Sequence, residues 1–147
     1  GDKQIESLLS APPYQNQALE RPGIRRVLSS YEVLGGPATF DLAWTTGRFR
    51  DANPKTYQAI VAALEEATQI INRDKRAAAE LYKTMANDKS PVEDLYRLLA
   101  HPEMEFTTIP NHIMKYVDFM HQTGQIKVRA ASWKELFFPE AHHLPGS

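Results

Sequence analysis

Residues 35–46 read Gly35-Gly36-Pro37-Ala38-Thr39-Phe40-Asp41-Leu42-Ala43-Trp44-Thr45-Thr46. Two glycines admit positive φ, and the proline fixes the φ that follows. Beyond this turn signal Phe40, Leu42 and Trp44 share one face at period two, with Thr39, Asp41, Ala43 and Thr45 on the other, which is the pattern of a half-buried strand. It is the best strand in the chain, and weaker ones accompany it. Ile5 to Leu9 is a short apolar run stopped by Pro12-Pro13, neither of which can donate a ladder hydrogen bond. Arg26-Val27-Leu28 follows the Pro22-Gly23 turn, and Tyr14 to Glu20 supplies one or two helical turns. Met104 to Ile109 is expected to be extended, and Ile126 with Val128 to form a brief extended piece.

Downstream of Thr46 the period changes. Asn53-Pro54 signals a helix start, with Asn as cap and Pro in the first turn. Tyr57, Ile60, Val61, Leu64, Ala67, Thr68 and Ile71 then recur at helical spacing, predicting a helix from about Pro54 to Asn72. A second is predicted over about Asp74 to Ala86, with Ala77, Ala78, Leu81, Tyr82 and Met85 inward. Ser90-Pro91-Val92-Glu93 reads as a capping box opening a third, which carries Leu95, Leu98 and Leu99 and ends near His101-Pro102. Pro110 opens a fourth, with Ile113, Tyr116, Val117 and Met120 inward and Gly124 just past its end. Ser132 to Phe138 is a last short helix before a polar tail, His142 to Ser147. The fold class read from this order is α/β, a few strands followed by about four helices, without internal repeat. Two or three strands make a marginal sheet, so the sheet is expected to be completed by residues outside this chain.

Composition narrows the function classes. The 147 residues suit one domain that buries roughly two-thirds of its unfolded surface. Lys and Arg total 17 against 18 Asp and Glu, giving a net charge of −1, which speaks against a broad nucleic-acid surface. An apolar content of 42% speaks against intrinsic disorder. Cysteine is absent, which removes disulfides, thiolate metal sites and cysteine nucleophiles together. No run approaches the roughly 20 apolar residues of a membrane span, and Gly1-Asp2-Lys3-Gln4 carries no secretory signal pattern.

Few residues point to chemistry. His142-His143 with Glu140 has metal-ligating types but reads as a surface tail without ordered support. His112 and His121 are nine apart on one helix, not the four that brings two ligands together. His101 at a helix end suits the C-terminal dipole. Glu65-Glu66 reads as a solvated face and Glu93 as part of a cap. Asp41 stands out, being a carboxylate inside an apolar strand beside a Gly-Gly-Pro loop, either paired structurally or facing a ligand. No Gly-x-Ser-x-Gly setting or P-loop occurs, so no catalytic residue or cofactor is assigned.

Several stretches together resemble a family. Ser10-Ala11-Pro12-Pro13-Tyr14 is similar to the proline-containing hinge strand of type II periplasmic substrate-binding proteins of ABC transporters, in the nitrate/sulfonate/taurine group. Gly35 to Trp44 resembles their Gly-x-Pro-Thr-x-Asp-x-Trp strand, Phe49 to Pro54 the approach to their long helix, and Ser132-Trp133-Lys134-Glu135-Leu136-Phe137 a C-terminal element of some members. The resemblance implies a portion of a two-lobed type II periplasmic-binding-protein fold, matching only the C-terminal part of longer relatives. Residues 1–34 would be the hinge strand and return segment, 35–131 the C-terminal lobe portion, and 132–147 the C-terminal element and tail. It implies a non-enzymatic, extracytoplasmic solute-binding component of an ABC importer, capturing a small anion or zwitterion in an interlobe cleft for delivery to a membrane permease. Carried over by position, Ser10, Ala11 and Pro12 would border the cleft, with Gly36, Pro37, Thr39 and Asp41 near its floor. Where many members carry a tryptophan before the hinge proline, this chain has Ser10 and Ala11, which implies no bulky ligand cover there. Two other classes share the implied fold, a pyrimidine-synthase-like enzyme of thiamine biosynthesis and an effector-sensing module of a transcription regulator. A fragment of this kind is expected to pair with itself through exposed sheet edges.

Overall fold

The computed structural model describes residues 6–147, and among them there is no strand. Seven α-helices follow one another: α1 (Tyr14–Leu19), α2 (Ser30–Leu34), α3 (Gly47–Ala52), α4 (Pro54–Arg73), α5 (Lys75–Met85), α6 (Val92–Leu99) and α7 (Ile113–Gln122). Two short 3-10 turns, Trp133–Leu136 and Pro139–Ala141, close the chain. The α/β expectation is therefore overturned, and with it the two-lobed sheet fold. Ile5, where the first expected strand begins, lies outside the described residues, as does the start of the expected 1–34 segment.

The reason is the lack of ladder partners. Residues 38–46 form neither helix nor strand, and among the described residues their backbone is tied to a distant segment at one point, where Thr39 N–H donates to Asn111 O at 3.0 Å. Strand pairing needs a neighbour about 4.8 Å away over several residues. Without one the period-two face stays in solvent, with Phe40 77% and Trp44 87% exposed. Residues 26–28, 104–109 and 126–128 likewise form no strand.

The long helices follow their sequence signals. Pro54 sits in the first turn of α4, although the Asn53 side chain caps nothing there and its amide donates back to Phe49 O at 3.0 Å. Asp74 separates α4 from α5, its carboxylate accepting from Arg76 N–H (3.1 Å) and Ala77 N–H (2.9 Å). The expected box at Ser90 does not form: Pro91 holds the cap position of α6 without a side-chain bond, and Glu93 is drawn 2.8 Å from Arg76 on α5. A capping box forms instead at Ser29 and Glu32, turning the segment after Leu28 into α2. Gly124, at φ +73°, ends α7: its N–H donates to His121 O (3.1 Å) and Gln125 N–H to Met120 O (2.8 Å). These two bonds are a Schellman motif.

Among the described residues burial is sparse: Ala79, Leu95, Pro110, Ile113, Val117 and Trp133 alone are buried. α5 and α6 pack together, and each carries one buried apolar residue, Ala79 with no exposed surface and Leu95. Ile113 and Val117 of α7 pack with Trp133, flanked by Met114, Ile126 and Phe137. Trp133 also brings in the tail, because His142 meets its ring edge-on at 6.1 Å and a Cβ on Gly146 would fall 2.7 Å from its Cε2. The tail therefore docks, contrary to the solvated tail expected from its polarity. Ser147 accepts from His112 N–H through its hydroxyl (3.0 Å) and from Ile113 N–H through its carbonyl (2.6 Å), covering the first turn of α7. The whole chain exposes 11549 Å², half as much again as the roughly 7,600 Å² of a compact monomer of 16.7 kDa. The burial expected from chain length is thus not reached within one copy. No helix of the described residues is long and apolar enough to cross a membrane.

Candidate functional site

A cleft of about 460 Å³ opens between the extended segment and α4. Thr39 and Asp41 line one side, and Val61, Leu64 and Thr68 of α4 line the other. Thr107 and Thr108 form the end, and His143 with Glu140 reach in from the C-terminal segment. Local bonds place these groups. Thr39 is held from both sides of its backbone unit, since Asn111 N–H also donates to its Oγ1 at 2.8 Å, leaving the hydroxyl proton to point elsewhere. His112 Nδ1 lies 2.6 Å from Pro37 O, and because a carbonyl only accepts, Nδ1 carries the proton. Asn72 donates to Phe106 O at 2.8 Å, fixing the threonine loop against α4. Thr107 Oγ1 accepts from Ile109 N–H (3.1 Å), and Thr68 Oγ1 donates to Leu64 O (2.8 Å), so the first keeps a donor and the second its lone pairs.

A smaller cavity of about 250 Å³ adjoins this cleft through Tyr57 and Glu140 and is lined as well by Arg50 and Asp51. Arg50 holds Glu140 through two nitrogens, Nε at 3.0 Å and Nη2 at 2.8 Å, and Asp51 through Nη1 at 3.0 Å. Its guanidinium lies 5.1 Å from the Phe138 ring centre and 5.8 Å from that of Tyr57. The hydrogen bonds from Arg50 hold the Glu140 carboxyl below the usual carboxylate range, and the same pairing raises Arg50. Burial, then the Glu140 charge, pushes the Tyr57 phenol up.

A depressed carboxylate contributes stability that is complete above its unfolded value of about 4.3 and is lost as pH falls through the lower folded value. The contact between α3 and the C-terminal segment is therefore expected to open only below about pH 4.3. The Nε–H proton resonance of Arg50 should move toward the position of an unpaired arginine as pH falls below about 4.3. A resonance unchanged down to full carboxyl protonation would contradict the role given to Glu140.

Of the residues singled out by sequence, Thr39 and Asp41 come together in the cleft. Gly36 and Pro37 lie just behind it, against His112. Ser10, Ala11 and Pro12 do not border it: Ala11 O accepts from Tyr14 N–H at 3.1 Å and leads into α1. Sequence reading did not single out Thr68, Thr107, Thr108, Arg50 or Tyr57. The one available signal was Arg50-Asp51 before Asn53-Pro54, charges placed at a helix junction. His142 and His143 part company: His142 Nε2 donates to Lys134 O (2.8 Å) and Phe137 O (2.9 Å), while His143 faces the cleft. Among the described residues no three His, Asp or Glu side chains are grouped to hold a metal ion.

Compared with protein families, curated proteins and solved structures, the chain matches none.

Proposed function

We propose that this chain is the ligand-holding part of a solute-binding component of an ABC importer, working outside the cytoplasm and passing a small anion or zwitterion to a membrane permease without covalent chemistry. The observation that supports it best is the cleft. About 460 Å³ suits a small molecule, and its lining sets the hydroxyls of Thr39 and Thr107, each bonded to a backbone N–H, beside the Asp41 carboxylate, groups suited to holding a ligand. Hydroxyls of Thr39 and Thr107 suit oxyanion oxygens, and Asp41 suits an ammonium. This pairing favours an amino-sulfonate zwitterion such as taurine over a bare anion such as nitrate. The excess exposed surface fits a chain that works with further protein: the permease, and a second copy against Phe40, Leu42 and Trp44.

Calorimetric titration with taurine, methanesulfonate and nitrate tests the reading. Taurine should saturate one site. Asp41→Asn should weaken it about tenfold or more, the scale of one lost charge-assisted hydrogen bond, while Thr39→Ala should weaken all anions alike. Absence of saturable binding by any of the three would overturn the reading.

A further inference from the structure

Arg50 is the one lysine or arginine that lines either cavity among the described residues, and the chain's own carboxylates fill it. Glu140 takes Nη2 on Oε1 (2.8 Å) and Nε on Oε2 (3.2 Å) side by side, Nε lying also 3.0 Å from Oε1, and Asp51 takes Nη1. A sulfonate or carboxylate meets a guanidinium through the same two parallel bonds. Glu140 rides on a single 3-10 turn near the chain end, whereas Arg50 is carried by α3 and flanked by the Tyr57 and Phe138 rings. Tyr57 belongs to α4, so its ring stays beside the guanidinium when the Glu140 carboxylate turns away, whereas Phe138 caps the turn that carries Glu140.

We propose that Arg50 is the recognition residue for the anionic group of the ligand, and that Glu140 is an internal carboxylate occupying it until a ligand oxyanion takes over. This rests on the ligand class proposed above and adds Arg50, which lines the adjoining cavity, to the Thr39 and Thr107 hydroxyls at its anionic end. The exchange breaks one ion pair and forms another of the same kind. Glu140, which borders both cavities, is then released toward the cleft, where it joins Asp41 in facing the ligand's cationic end. The charged and titratable groups around it are Arg50 and Asp51 on α3, Tyr57 on α4 and His142 on its own segment.

Two measurements decide it. In calorimetric titration with methanesulfonate, Glu140→Gln should bind about tenfold tighter than the unaltered protein, and Arg50→Gln should lose measurable binding. In the unaltered protein, the Arg50 Nε–H resonance should shift as methanesulfonate is added, which reads the same contact even where Glu140→Gln fails to fold. Equal or weaker binding by a Glu140→Gln protein of unchanged circular dichroism, or an Arg50 resonance unmoved at saturating probe, overturns the proposal. Taurine binding that depends on Asp41 while Arg50 does not respond removes this inference and leaves the solute-binding reading standing. If neither taurine nor methanesulfonate binds any of these proteins, both fall.

Discussion

Trp133→Ala is expected to cost about 3–5 kcal/mol, the range for truncating a buried aromatic, and to release both α7 and the tail. Trp133 is 6% exposed and packs with Ile113 and Val117. It also meets Phe137 edge-on at 5.6 Å and His142 at 6.1 Å. Gly146 lies so close to the indole that a Cβ there would sit 2.7 Å from it. Removing the indole therefore empties the cluster and frees residues 142–147, including the Ser147 bonds that cover the first turn of α7. Few large side chains elsewhere are covered, so little remains to offset the loss. Urea unfolding followed by far-ultraviolet circular dichroism should show a midpoint lowered by about 2 M for a typical urea dependence. A shift below a few tenths of a molar would mean that Trp133 is not the centre of this cluster.

Leu95→Ala is expected to cost about 2–5 kcal/mol, but in a different place. Leu95 is 8% exposed and packs α6 onto α5, where Ala79 has no exposed surface. The Arg76–Glu93 ion pair and the Arg76 contact with the Tyr96 ring at 4.5 Å lie on the exposed rim of this pair, and exposed pairs of this kind add little. The variant should lose amide-exchange protection over residues 75–99 while residues 113–137 keep theirs, as expected when two cooperative units open separately. Equal loss in both regions would show that the two clusters unfold as one.

How much of this was legible in the sequence depended on the range of the interactions. The spans of α4 and α5 followed from helical spacing together with Pro54 and Asp74, and the end of α7 from Gly124. Each of these signals acts within one or two turns of its own position. The Ser90 capping box did not form: Ser90 is bonded to Asp88, and Glu93 pairs with Arg76 on the neighbouring helix. The Ser29–Glu32 box went unread because Arg26 to Leu28 pulled the reading toward a strand. Residues 38–46 misled for a deeper reason: alternation of Phe40, Leu42 and Trp44 states which face seeks cover, but a strand also needs a neighbour, and the described residues supply only the contact of Thr39 with Asn111.

The candidate site divides along the same line. Thr39 and Asp41 could be singled out from their place beside the Gly-Gly-Pro turn. Thr68 looked like one more residue of a helix stripe, and His143 like part of a tail. Both became cleft residues through contacts between distant segments: Asn72 on Phe106, and the docking of the C-terminal segment on Trp133. By itself the sequence determined where the long helices run and stop, the lack of cysteine chemistry and the near-neutral charge, because these depend on composition or on bonds between residues about four apart. Only the tertiary structure decided that the period-two segment stays unpaired and that Thr39 faces α4. The same holds for the meeting of Arg50 and Glu140 across 90 residues, since such contacts depend on which surfaces the folded chain brings together and leave no periodic trace in either partner.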